Sequence, residues 1–537
     1  MNVADIEIPT VPERGKRYRF FEMLPGILSW SILLLPFVLS PFYPDVVVFF
    51  VIAYLLLWFV KSLGMDIRAM QGFHTIQEHM KLNWTGMLDD LEHSVIQPRS
   101  DIFPKWHAAN LERLKATPCP VKPSEIIHAV IIACYNESRE VLEPTIQAVL
   151  AEHYDMQKVI LVIAYEGRDG AKSEKAALEL KEKYGKQFMH TMAFKHPLTE
   201  GEIRGKGGNI TYAARHLETY LAEQKIDPIR VIVTTLDSDN RPHSWYLAAV
   251  AYMYCVCPEP RYVSFQPVPL FTNNIWDAPA PMRVVATGNS FWQTVMTLRP
   301  HILRNFSSHA QGMQALIDTN YWSVRTIVED GHQFWRTYFR YDGHHEVYPI
   351  FLPIYQDAVF AGTFIRTLKA QFIQMRRWAW GASDIAYVIE MGFFRDSKVP
   401  KRKLWAKLLR LIEGHVSWAT SALLLAFGAL VPVLLSPKDY NANILPVLAS
   451  RIETVALVGI FFTLFFSIKT LPPKPARYKH TRSLFMVLQW VYLPVTTIVY
   501  SGASALYSQT RLMFGKYLGK FDVTDKAVRT DDNRTVL

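Results

Sequence analysis

Apolar positions along this chain fall into distinct regimes, and the first is membrane-like. Leu24 to Ser40 and Val46 to Val60 are nearly unbroken apolar runs separated only by Pro41 to Asp45. With their flanks, each approaches the roughly 17 to 25 residues that a helix needs to cross a bilayer. The second run follows at once, without a small-residue cleavage site, so 24–63 reads as a transmembrane hairpin and not as a secretory signal. A short segment (1–23) precedes it, and linker helices (64–123) follow.

From residue 124 to about 360 the pattern changes to short β-branched runs alternating with polar helical stretches. The runs cover 126–134, 158–165, 189–196, 229–236 and 262–267, with helices predicted at Glu140 to His153 and Lys172 to Tyr184. Unbroken apolar strands separated by helices predict a parallel sheet covered on both faces. In such sheets ligands sit beyond the carboxyl ends of the strands.

A third regime begins near residue 361. Phe364 to Phe394 is aromatic but contains Arg366, Lys369, Arg376 and Arg377, which hydrocarbon does not accept cheaply. The segment 361–410 therefore predicts amphipathic helices on a membrane surface. Leu411 to Leu435 and Thr454 to Leu471 read as two further spans, within 411–471. Glu413 and His415, at the start of the first of these, read as interfacial residues or as the lining of a translocation path. The apolar stretch 483–508 is interrupted by Pro494 and Gly502. It predicts a re-entrant or interfacial hairpin, or else a fifth span, and a basic tail (509–537) follows.

Charge orients this arrangement. Arg14, Lys16, Arg17 and Arg19 precede the hairpin, Lys61, Arg68 and Lys81 follow it, and Lys474, Arg477, Lys479 and Arg482 lie between the later apolar segments. Short basic flanks stay in the cytoplasm, so the 124–360 unit is expected to be cytosolic. The net charge of +10, from 58 Lys and Arg against 48 Asp and Glu, fits apposition to anionic membrane lipids. Nucleic-acid binding is not expected, because the basic residues cluster at membrane edges and not along one polar face. Cys119, Cys134, Cys255 and Cys257 show no metal-binding spacing. Half the residues are hydrophobic and 13% are aromatic, high for a soluble enzyme but low for a pure membrane bundle, so a mixed protein is expected.

Candidate chemistry stands where strands end. Tyr135-Asn136-Glu137 follows the first strand, Glu166 the second, and Asp237-Ser238-Asp239 the fourth. Two carboxylates beyond a buried strand suit a hard cation, Mg²⁺ or Mn²⁺, bridged to a diphosphate. Lys206-Gly207-Gly208-Asn209 lies in a predicted loop before a helix starting near Ile210, where glycines and a helix start favour phosphate. Glu329-Asp330 and Gln374-Met375-Arg376-Arg377-Trp378 come later.

In this order, between apolar segments, the motifs resemble the signature of membrane-embedded family 2 glycosyltransferases. Residues 120–380, half the chain, are similar to the catalytic domain of processive, cellulose-synthase-like members. The resemblance implies an α/β GT-A-type (Rossmann-like) cytosolic catalytic domain inserted between transmembrane helices. It implies that Tyr135 and Glu137 frame the nucleotide base, that Lys206 contacts the nucleotide, and that Asp237 and Asp239 bind diphosphate and metal. Asp330 would be the general base, Gln374 and Arg377 would hold the diphosphate, and Trp378 would stack under the acceptor sugar. Phe521 to Lys526 resembles the Phe-x-Val-Thr-x-Lys gating loop of bacterial cellulose synthases, which implies a nucleotide contact for Lys526 and a cytosolic tail.

Two positions depart from the family pattern. Glu166 stands alone where many members carry two acids, which weakens base or ribose recognition there, and Val328 replaces the usual Thr before Glu329.

The expected function is inverting transfer of a sugar from a nucleotide sugar, a UDP-sugar, to a growing polysaccharide coupled to its export. A homo-oligomer or export partner would complete a path that four spans alone leave narrow. Single-sugar transfer to a membrane lipid is the alternative, and a transporter or scaffold with a dead transferase domain is the alternative of another class. The expected location is the plasma membrane, or the inner membrane of a bacterium, as a multi-pass protein.

Overall fold

The computed structural model describes residues 6–98, 103–167, 171–197 and 199–519. The gating-like segment Phe521 to Lys526, including Lys526, lies outside the described residues.

The β-branched runs form strands close to their predicted places: β1 (Ile127–Cys134), β2 (Val159–Glu166), β3 (His190–His196), β4 (Val231–Asp237) and β6 (Val263–Phe271). β5 (Arg241–Pro242), β7 (His309–Gly312) and β8 (Glu346–Gln356) complete one eight-stranded sheet in the order β3-β2-β1-β4-β7-β6-β8-β5. The β3-β2-β1-β4 half is parallel, as its apolar runs predict. The expectation of a wholly parallel sheet fails beyond it, because β7 pairs antiparallel with both β4 and β6. β7 is four residues long and carries no apolar run, so no periodicity announces it.

Both faces of the sheet are buried, and alternation along the strands divides the side chains between them. Val130, Ile132, Leu161 and Ile163 enter a core with Ile146 and Tyr252. Ala129, Ile131, Ile160 and Val162 enter another with Ile210, Leu217 and Leu316. Each fully buried aliphatic side chain contributes about 1.5–3 kcal/mol, so the two cores fix the register. The architecture is a mixed α/β domain joined to apolar helices at both ends of the chain.

Among the described residues, four helices are long and apolar enough to cross a membrane: Lys16–Leu39, Pro44–His79, Tyr440–Thr470 and Thr481–Met513. The set differs from the expected spans. Leu411 to Leu435 is divided between helices Lys401–Phe427 and Leu430–Leu435, the first of which opens with basic residues. Pro44–His79 runs well past Val60. Thr481–Met513 qualifies by length and composition but is broken into short helical pieces, starting with a turn ahead of Pro494.

Contacts at the helix ends show how these elements meet. The turn after Leu39 touches the one before Tyr440, with Ser436 Oγ donating to the Ser40 carbonyl at 2.7 Å and Asn441 donating to Asp45 at 2.8 Å. At the other end of the bundle, Arg19 donates to the Leu512 and Met513 carbonyls at 2.6 and 2.5 Å. Arg482 donates to the Trp276 carbonyl at 2.9 Å. Both ends of Thr481–Met513 therefore lie on the side of the α/β domain.

Candidate active site

β4 delivers Asp237 to the carboxyl edge of the sheet, where its side chain keeps 34% exposure. Lys206 reaches it from the first turn of the helix Lys206–Glu223, with Nζ 2.7 Å from Asp237 Oδ1. The Lys206-to-Asn209 segment is thus helical from its first residue, not a loop ending near Ile210. Gly207 makes the approach feasible: a Cβ there would collide with the Ser323 carbonyl oxygen and stand 3.2 Å from Glu329 Cβ. Burial opposes the charge on Lys206, but Asp237, Glu329 and Asp330 outweigh it and raise its pKa.

Ser307 ties the two acidic motifs together. Its backbone N–H donates to Asp330 Oδ2 at 2.5 Å, and its hydroxyl donates to Asp237 Oδ2 at 2.6 Å. Its carbonyl accepts from Lys206 Nζ at 3.1 Å. The residue sits at φ 46°, a left-handed conformation that is uncommon for serine and points its N–H and hydroxyl at separate carboxylates. Asp330 Oδ1 accepts from the Gly331 N–H at 2.7 Å, so both carboxylate oxygens are oriented by backbone.

Glu329 opens the helix Glu329–Arg340 and is 5% exposed. Burial first, and then the neighbouring Asp330 charge, push its carboxyl up to about 8. Burial thus favours the neutral form of this carboxyl, and the nearby Lys206 works in the opposite direction.

The remaining predicted residues are distributed around this core. Asp239 is 7% exposed; its Oδ2 accepts from the Asp357 N–H and its carbonyl from Asn273, both at 2.9 Å. Beyond β1, the Glu137 carboxylate folds back to accept from the Tyr135 N–H. Glu166 is buried at the end of β2, 3.5 Å from His196, which also meets Glu202 at 3.1 Å. Burial disfavours charge on His196, but these two acids raise its pKa. Glu166 is thereby committed to an internal pair.

Gln374, Arg377 and Trp378 lie on the helix Phe364–Ala379. Gln374 accepts from the Gln371 amide at 3.0 Å. Trp378 packs 6.0 Å from the Phe271 ring at the end of β6, in a cluster with Trp276, Met375 and Tyr500. The pentad helix reaches the acidic pair through Trp380, which shares a core with Ile327 and Val328.

Lys206, Asp237 and Asp330 are thus brought into one hydrogen-bonded group, and Asp239 abuts it through the β4 turn. Ser307 and Asn273 escape sequence reasoning, since Phe306-Ser307-Ser308 reads as an ordinary polar loop. Among the described residues no group of three or more His, Cys, Asp or Glu side chains is arranged to hold a metal ion. Asp237 and Asp239 nevertheless offer hard oxygen donors, and a cation shared with a diphosphate needs only one or two protein carboxylates.

No protein-family model matches the sequence, and no curated protein matches it. Among solved structures, the chain is similar to the mannosyltransferase PcManGT from Pyrobaculum calidifontis in complex with GDP-Man and Mn²⁺. That match has 14% identity, covers 84% of this chain and 100% of that one, and has a TM-score of 0.40. S. aureus TarS 1-349 in complex with UDP-GlcNAc matches at 10% identity over 74% of this chain and 93% of that one, with a TM-score of 0.33. GalNAc-T7 with UDP, GalNAc and Mn²⁺ matches at 10% identity over 60% and 68%, with a TM-score of 0.32. Similarity this low does not assign an activity.

Proposed function

We propose that the chain is a membrane-bound inverting glycosyltransferase that moves a sugar from a nucleotide sugar, a UDP-sugar, to a growing saccharide. The observation that carries this reading is the Lys206–Asp237–Ser307–Asp330 group at the carboxyl edge of the sheet, linked through the packing of Trp380 on Val328 to the helix bearing Gln374, Arg377 and Trp378. A cation for the leaving group, a carboxylate for proton removal and an aromatic face for a sugar are the parts that glycosyl transfer requires.

The reaction follows from that placement. Asp330 accepts the acceptor hydroxyl proton as the oxygen bonds to the anomeric carbon. The bond from that carbon to the diphosphate oxygen breaks on the opposite face, so configuration inverts. Lys206 and Arg377 offset the charge left on the nucleoside diphosphate. Asp237 and Asp239 would hold Mg²⁺ or Mn²⁺, which supplies electrophilic help to the leaving group. Ser307 keeps Asp330 oriented toward the group that holds the donor. The indole face of Trp378 suits the apolar face of a pyranose.

We read the chain as four spans with a cytosolic catalytic domain at the plasma membrane, the orientation following from its basic flanks. Lys16–Leu39, Pro44–His79, 401–435 and Tyr440–Thr470 traverse, and Thr481–Met513 lies along the inner boundary with both ends toward the α/β domain. Its internal breaks and its contacts at Arg19 and Arg482 support this reading.

The test is incubation of membranes containing the protein with a panel of radiolabelled nucleotide sugars, followed by sizing of the product. Label in a polymer supports processive synthesis, and label in one lipid-linked sugar supports single transfer. Absence of transfer from every donor would favour a scaffold.

A further inference from the structure

A cavity of about 430 Å³ lies between the helices Pro44–His79 and Gly459–Thr470 and the β6-β8-β5 end of the sheet. Ile76, Leu270, Phe466 and Leu471 form its apolar wall. Two cations, Arg241 and Lys469, enter it, and no acidic residue lines it among the described residues. Arg241 Nε is buried without a hydrogen-bond partner among the described residues. A buried guanidinium donor left in this way is costly unless an acceptor arrives to meet it.

The cavity is separate from the proposed acceptor site. Leu270 faces it, whereas the next residue, Phe271, packs on Trp378. Successive strand residues point to opposite faces, so the cavity and Trp378 lie on opposite faces of β6.

Its surroundings indicate which occupant fits. Phe461, Phe465 and Ile468 are 69%, 39% and 53% exposed on the helix that supplies Phe466 and Lys469. Lys469 Nζ lies 5.7 Å from the centre of the Phe465 ring. A lysine stem running along apolar surface to a charged head is the arrangement found at membrane boundaries. Apolar walls continuous with an exposed apolar helix face accept an acyl chain, and two cations lining a cavity without an acid accept a phosphate.

We propose that this cavity binds the phosphate headgroup of an anionic membrane lipid, received by Arg241 and Lys469, with an acyl chain against Phe466 and Leu270. Binding would be felt at the catalytic edge, because Arg241 follows Asp239 by two residues and Asn273, which also lines the cavity, donates to the Asp239 carbonyl. The proposal rests on the membrane reading and not on glycosyl transfer.

The test titrates the full-length protein in detergent with dioctanoyl-phosphatidylglycerol, dioctanoylglycerol and inorganic phosphate, each as a separate probe. Phosphatidylglycerol is expected to bind, with its affinity falling about tenfold in Arg241→Gln and in Lys469→Gln, the usual worth of one charge-assisted contact. Lys438→Gln, outside the cavity, is expected to leave binding unchanged. Equal binding of dioctanoylglycerol would show an apolar hole without headgroup recognition. Equal binding of inorganic phosphate would show a free-anion site. Either result overturns the proposal, as does unchanged affinity in both cavity variants. If Arg241→Gln does not fold, Lys469→Gln decides, since it lies on an exposed helix face.

Discussion

Lys206 and Asp237 form a 2.7 Å ion pair between a helix start and a strand end, and the Ser307 carbonyl completes the lysine's surroundings. A lysine held there is placed for a diphosphate that arrives at the carboxylate edge. Lys206→Met is therefore expected to weaken donor nucleotide binding by about tenfold or more. Equilibrium binding of the nucleotide to purified protein checks this, and unchanged affinity would remove Lys206 from the site.

The protonation of Glu329 gives a pH signature. Burial, and then the Asp330 charge, push its carboxyl up to about 8 from an ordinary value of 4.5. The folded state holds the proton more tightly, so the stabilisation is complete below about 4.5 and is lost as pH rises through about 8. Glu329→Gln is expected to flatten the fall in thermal midpoint between about pH 5 and pH 9. Parallel profiles for the two proteins would mean that Glu329 is ionised throughout.

Gly207 is required by close approach and not by backbone angle. In Gly207→Ala the new methyl meets the Ser323 carbonyl, which is backbone and yields poorly. The expected cost is about 1–3 kcal/mol, read as a lowered thermal midpoint, with weaker donor binding because Lys206 shifts with its helix. A midpoint equal to that of the parent chain would show that the helix start can move freely.

These sites differ in how far the sequence discloses them. Apolar runs with β-branched residues announce β1, β2 and β4, and the acids that follow them fall at the sheet edge as the strand-end rule requires. Ser307 is invisible because its role comes from a left-handed backbone in a polar loop, a tertiary outcome without periodicity. Glu166 sits where the pattern predicts, but His196, brought alongside in register on β3, captures its carboxylate. The run 411–435 breaks at Gly428, four residues before Pro432, which has no N–H with which to continue the helical hydrogen bonds.

Metal dependence follows from the hard oxygens of Asp237 and Asp239. Turnover is expected to vanish with EDTA and to return with Mg²⁺ or Mn²⁺, whereas Asp239→Ala is expected to stay inactive with either ion. Full turnover in chelator would leave Lys206 and Arg377 as the only offset to leaving-group charge.

The most direct measurement is single-turnover sugar transfer by Asp330→Asn beside the parent protein, with donor nucleotide affinity measured on the same samples. The amide keeps the shape, and its one oxygen can still accept from either the Ser307 or the Gly331 N–H but not from both, and it cannot take the acceptor proton. Turnover is expected to fall by roughly 10² to 10⁴, with nucleotide affinity nearly unchanged. Turnover equal to that of the parent protein would contradict the assignment of Asp330 as the base, and with it the proposed mechanism.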